Sequence, residues 1–190
     1  MLFNTIDFVV FLPIVVFIYY LLPQKGRWIL LLLASYFFYG SWKLNYLAFI
    51  IISTVIDYAC GLKMDEIVSK KKKKPFLILS LVSNLGLLFF FKYYNFFAEN
   101  LNSGIASNFP ILEDVILPVG ISFYTFQTLS YSVDVYHGRQ KAESHLGYFA
   151  LYVSFFPQLV AGPIERFSNL TPQFKTEKKI NYQNISNGLR

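Results

Sequence analysis

The chain is poor in the residues a soluble enzyme of its size would draw on. Its 190 residues hold one cysteine, Cys60, and two histidines, His137 and His145. A lone cysteine excludes an internal disulfide and any cysteine-based metal cluster. There is no H-E-x-x-H and no carboxylate–histidine cluster at metal spacing, so no metal site is expected. Glycine-rich phosphate loops are missing too. Charged side chains make up only 15% of the sequence, against about 25% in ordinary soluble domains. Apolar residues take their place: 55% of the chain is hydrophobic and 19% aromatic, with 21 Phe and 14 Tyr. This composition predicts an all-α integral membrane protein, a multi-span helical bundle in the lipid bilayer. At about 20 residues per crossing, the length leaves room for about six spans and no separate soluble domain.

A net charge of +6 would suit a nucleic-acid binder, but its distribution argues against one. Lys and Arg concentrate in short segments between apolar runs, as in cytoplasmic loops that face anionic lipid. No nucleic-acid partner is expected. The N-terminus lacks a basic n-region and a small-residue cleavage site, and Asp7 precedes its apolar run, so it reads as a first span and not as a cleaved signal.

The expected spans are 8–22, 28–39, 44–62, 76–97, 116–136 and 146–162, within one membrane domain covering 1–190. Trp28 and Trp42 mark the ends of the second, where amphipathic rings favour the interface. Between the third and fourth lies 63–74, with five consecutive lysines at 70–74, which reads as a solvated cytoplasmic loop. The segment 98–114 is rich in Asn and contains no Lys or Arg. Placing the basic segments 25–27, 63–74 and 139–141 inside puts 98–114 and the N-terminus outside. The sixth run is short and interrupted by Pro157 and by Gly162-Pro163. A re-entrant or broken element is therefore expected over 155–163, returning the tail to the cytoplasmic side. Broken backbone at membrane depth is tolerated where it is buried in protein or lines a cavity.

The fifth run is the most informative. Tyr124, Gln127, Tyr131 and Asp134 fall within about 80° of one another at helical spacing, while Phe126, Leu129 and Val133 lie opposite. Polar groups at membrane depth are costly unless they face protein, water or substrate. These four are candidates for lining a tunnel, with Pro157, Gln158, Gly162 and Pro163 shaping the broken element. Interhelical hydrogen bonding is the competing reading for Tyr124, Gln127 and Tyr131. For Asp134 the competing reading is a helix-end pair with Arg139. His137 and His145 read as loop or helix-end imidazoles. The triplets 169–171 and 184–186 match a glycosylation sequon that the expected cytoplasmic side does not support. From 180 the chain reads as the start of an amphipathic helix that looks cut and not finished.

The motifs LPVGISFYTFQTLSYSVDVY (117–136) and FFPQLVAGPIERF (155–167) strongly resemble the membrane-bound O-acyltransferase family, nearest to its bacterial alginate O-acetyltransferase branch. FLP at 11–13, the segment 30–42 and FKYYNFF at 91–97 resemble the same branch. The resemblance implies a helical bundle in the bacterial cytoplasmic membrane. It would bring an acyl thioester or similar donor from inside to a polysaccharide hydroxyl outside, such as alginate or peptidoglycan. It also implies acyl-carrier or extracytoplasmic acetylation proteins as partners, with no bound cofactor. The family's catalytic histidine follows a tryptophan in a later helix, and neither histidine here follows a tryptophan. No catalytic residue is therefore assigned, and the chain resembles the N-terminal half of such an enzyme. The alternatives are a non-catalytic membrane scaffold, or half of a transporter or flippase, which would also pair a polar-lined helix with a broken one.

Overall fold

The computed structural model describes residues 3–105, 109–112, 117–159, 162–178 and 186. Among them every regular element is helical: α1 (Ile6–Leu21), α2 (Gln24–Gly40), α3 (Leu44–Glu66), α4 (Lys70–Lys92), α5 (Tyr94–Ile105), α6 (Ile121–His137), α7 (Leu146–Ser154), α8 (Phe156–Leu159) and α9 (Phe167–Lys175). Helices α3 and α4 are each long and apolar enough to cross a membrane. Polar and apolar residues are distributed as a lipid solvent demands. Ile6, Phe17, Leu33, Phe37 and Val82 point outward, while Ser53, Asp57, Ser80, Asn84, Thr128 and Ser132 are buried. In water such an exterior would be an aggregation surface. In a bilayer it is the solvated one, and the protein is a membrane protein.

Helix α6 sits at the centre, packed on α3, α4 and α7, and α2 closes the bundle against α7 and α3. Its ends are set by two glycines with positive φ, Gly120 (77°) and Gly138 (73°). At the C-terminal end, Arg139 N donates to Asp134 O at 2.9 Å and Gly138 N to Val135 O at 3.0 Å, satisfying carbonyls the helix leaves free. At the N-terminal end, a Cβ on Gly120 would run into the carbonyl oxygen of Leu159. The start of α6 and the end of α8 therefore touch backbone to backbone.

Three expectations about the chain path change in detail, and a fourth holds. The lysines at 70–74 form the first turns of α4 and not a loop, with Lys72 N and Lys73 N donating to Ser69 O at 3.0 and 3.1 Å. Lysine is a good helix former, and its charge alone does not make a loop. The run 76–97 is not one helix: α4 stops at Lys92 and α5 starts at Tyr94. Asn95 clamps the chain beyond, donating to Leu112 O at 2.9 Å and accepting from Leu112 N at 3.0 Å, and Asn102 does the same to Phe109. The fifth expected span is α6, which begins at Ile121, after the turn at Pro118–Gly120, and not at 116. The sixth run breaks at Phe155 between α7 and α8, within the broken element expected over 155–163. The amphipathic start expected from 180 lies outside the described residues, apart from Ser186.

Candidate functional site

Nine of the side chains on α6 are buried, and they divide between two neighbours. Thr125, Thr128 and Ser132 lie on one side, and the last two meet α3 and α4. There Asp57 accepts from Ser80 Oγ at 2.6 Å and from Asn84 Nδ2 at 2.8 Å on each carboxylate oxygen. Ser80 and Ser132 share a hydroxyl–hydroxyl bond of 2.8 Å, and Thr128 Oγ1 donates to Asn84 Oδ1 at 3.1 Å. Asp57 is fully buried. An acid at this depth holds its place because three donor contacts surround it. The signal for it was an ionisable residue inside the apolar run 44–62, and Asn84 interrupted the next run in the same way.

Gln127 and Tyr131 turn toward α7 and the following loop. Gln127 Nε2 donates to Tyr152 O at 2.8 Å, and Tyr152 Oη returns a bond to Gln127 O at 3.2 Å. Tyr131 Oη accepts from Glu143 N at 3.0 Å, its ring lying 4.7 Å from Phe149 and 5.0 Å from Phe167. Glu143 accepts from Lys175 Nζ at 2.6 Å and from His145 N at 3.1 Å. Tyr58 Oη donates to Ser144 O at 2.6 Å. The 140–145 loop is thus pinned from three helices.

The eight residues singled out in the sequence take different places. Tyr124, Gln127 and Tyr131 are buried on α6, as expected of its polar face. Tyr124 and Asp134, however, lie ten residues apart, about 15 Å along the axis, so the four form a strip and do not converge on a point. Asp134 pairs with Arg139 at 3.6 Å at the helix end. On the side read as opposite, Phe126 is exposed, but Leu129 is buried and Val133 half-buried. Pro157 lines a groove against α1. Gln158 Nε2 donates to Pro163 O at 3.0 Å, and Gly162 lies against Gln158, so those three form one local turn.

Two of the eight carry unused hydrogen-bonding capacity. Among the described residues, Tyr124 Oη and Gln158 Oε1 are buried without a partner, as are the hydroxyls of Tyr39, Thr54 and Thr125. Buried polar atoms left unpaired are uncommon, and each has room for a bond to water or to a polar ligand. The histidines are occupied elsewhere. His137 Nδ1 lies 2.9 Å from Val133 O, and His145 Nδ1 caps α7 by accepting from Gly147 N and Tyr148 N. Among the described residues, no group of three or more His, Cys, Asp or Glu could hold a metal ion.

A central polar-faced helix, an interrupted helix beside it and an apolar exterior define a membrane protein with a buried polar interior. No family model matches the chain and no solved structure matches it. Sequence relatives do match. The chain is 44% identical over 168 residues to the probable alginate O-acetylase AlgI of Pseudomonas syringae pv. tomato, covering 86% of this chain and 32% of that protein. It is 42% identical to the probable alginate O-acetylase AlgI of Pseudomonas aeruginosa, over the same shares of each. With the peptidoglycan O-acetyltransferase of Helicobacter pylori the identity is 38%, covering 100% of this chain and 42% of that protein. The chain is thus a homologue of these acetyltransferases, which are of the membrane-bound O-acyltransferase type its motifs resemble. It spans between 31% and 42% of the length of the curated relatives it matches.

Proposed function

We propose that the protein is a membrane O-acyltransferase that moves an acetyl group from an acyl thioester to hydroxyls of an extracytoplasmic polysaccharide. The observation that carries this reading is the identity of about 40% to alginate and peptidoglycan O-acetyltransferases along 86–100% of the chain. In such a reaction the acceptor oxygen attacks the thioester carbonyl, a base takes the hydroxyl proton, and the thiolate leaves and is reprotonated. The unpartnered Tyr124 hydroxyl is a donor suited to a carbonyl oxygen, and Gln158 Oε1 is an acceptor suited to a sugar hydroxyl. Gln127 and Tyr131, held by their own hydrogen bonds, keep that wall in register. Neither histidine of this chain is assigned as the base.

The same reading gives a multi-pass protein of the bacterial cytoplasmic membrane, with the N-terminus outside. Its support is that the basic segments meet at one end of the bundle. Arg27 Nη1 donates to Lys178 O at 2.8 Å, Gln24 Nε2 to Phe174 O at 3.1 Å, and Lys175 pairs with Glu143. The tail after the broken helix thereby returns to the side of 25–27 and 139–141. Cysteine labelling at position 175 tests this side, and modification only from outside would overturn it.

The activity is tested by deleting the locus in its own cells and measuring ester-linked acetate on the extracytoplasmic polysaccharides. The expected result is loss of acetate, restored by the wild-type protein, restored about a hundredfold less by Tyr124→Phe, as one removed donor in a dry site commonly costs, and restored less than by the wild type with Gln158→Leu, which removes an acceptor. Unchanged acetate in the deletion strain would sink the acyl-transfer reading.

A further inference from the structure

We propose that the groove between α1 and the α8–α9 segment holds one anionic phospholipid, an acyl chain along its wall and its phosphate at Arg27 and Lys178. The groove has a volume of about 330 Å³ and is lined by Leu12, Val15, Val16, Leu31 and Phe156 among others. Along α1 it runs from Leu12 to Tyr20, about 12 Å at the helical rise. That is the span of an acyl-chain segment and far more than a small ion needs. Leu12 and Val16 are also part-exposed at its edge, 38% and 46%, so it opens sideways toward the bilayer and not only to water.

Charge selects the headgroup. Arg27 is only 8% exposed, and its partners among the described residues are neutral. Nε donates to Leu22 O at 3.1 Å, Nη1 donates to Gln24 Oε1 at 3.3 Å and to Lys178 O at 2.8 Å, and Tyr19 lies under the guanidinium at 4.7 Å. Among the described residues the ion pairs are Lys63–Glu66, Arg139–Asp134 and Lys175–Glu143, none involving Arg27. A mostly buried cation without an anion is an unbalanced charge. Tyr19, Tyr20 and Lys178 carry the polar environment of Arg27 directly into the groove, whose lining contains no carboxylate. An apolar wall that ends at the Lys178 ammonium and two phenols, with the Arg27 guanidinium directly behind those phenols, matches a lipid chain and its phosphate, with Lys and Arg as the headgroup charges. The inference does not depend on acyl transfer, and Tyr124 is not among the residues lining the groove.

The test is native mass spectrometry of the protein purified in detergent, titrated with phosphatidylglycerol or with phosphatidylcholine of the same chains. The wild type is expected to retain phosphatidylglycerol at least tenfold over phosphatidylcholine, with one molecule held per protein. Lys178→Gln, at an exposed position, should reduce that ratio severalfold without changing the melting temperature, and Arg27→Gln with Lys178→Gln should bring it within twofold. Val16→Trp, which fills the groove without touching the cations, should lower retention of both lipids. Equal retention of the two lipids by the wild type would overturn the proposal, as would an unchanged preference in Lys178→Gln together with unchanged retention in Val16→Trp. Displacement of the lipid by inorganic phosphate alone would reduce the site to a simple anion contact. A wild type that carries no lipid would show that polypeptide fills the groove.

Discussion

Where α3, α4 and α6 meet, Asp57, Ser80, Asn84, Thr128 and Ser132 exchange hydrogen bonds of 2.6 to 3.1 Å. Where α1 meets α2 and α8, rings pack instead: Phe11 lies 5.3 Å from Phe156, Phe38 lies 5.7 Å from Phe156, and Phe3 stacks on Phe38 at 5.5 Å. In water the ring cluster would be the stronger joint. In lipid, apolar side chains gain little by exchanging lipid tails for protein, so packing and directional hydrogen bonds decide which contacts are specific. The polar joint fixes the register of three helices. The aromatic joint holds α1 close without fixing it, and it is α1 that leaves a groove along its second half.

Asp57→Leu is the most severe way to break this contrast. It leaves the Ser80 hydroxyl with only Ser132 and the Asn84 amide with only the Ser80 carbonyl as acceptor, and should cost about 3 kcal/mol, since an unpaired buried donor costs ~1–3 kcal/mol and the lost charge-assisted bonds add to it; denaturation of the purified protein in mixed micelles would read it. Gly120→Ala should cost about 2 kcal/mol, from a left-handed backbone angle and contact with the Leu159 carbonyl. Phe156→Ala sharpens the comparison from the other side. In a soluble core Phe→Ala costs ~3–5 kcal/mol, but here the transfer part falls away and about 1.5 kcal/mol should remain. A loss above that of Asp57→Leu would reverse the assignment of strong and weak joints. The smallest effect is expected from Ser132→Ala, about 0.6 kcal/mol, the average for one interhelical hydrogen bond in a membrane bundle. A double-mutant cycle with Ser80→Ala would isolate it. On activity, Gln127→Leu and Tyr131→Phe should lower acetate transfer while leaving membrane insertion intact, and unchanged transfer in both would remove their role in the wall.

The membrane class and the central polar helix were legible because both are carried by composition and by one helical period. The polar face of α6 was visible at Tyr124, Gln127 and Tyr131, since a phenol or amide inside an apolar run is conspicuous. Its second polar face was not read. Thr125, Thr128 and Ser132 are small hydroxyl residues that satisfy themselves on the preceding turn in many helices, so only their meeting with Asn84 and Ser80 gives them meaning. Asp57 carried the same signal, an ionisable residue inside an apolar run over 44–62, but its partners Ser80 and Asn84, and Ser132 beyond them, come from other helices and are not visible along the sequence. The lysines at 70–74 misled in the opposite sense, because charge predicts solvation and does not exclude a helical backbone. The broken element over 155–163 was legible because Pro157 and Gly162-Pro163 interrupt the run, while packing chooses the residue at which the chain turns.

The meeting of Gly120 with the Leu159 carbonyl carries one more consequence. With no side chain between them, the interrupted segment is geared directly to the long central helix, as a pawl rests on a wheel. A displacement of α8 by a few tenths of an ångström has no soft layer in which to be absorbed. It is delivered to the first turn of α6, where Tyr124 sits one turn beyond the contact. A molecule that presses on α8 from the groove side would thus be felt as a change of aim at the Tyr124 hydroxyl.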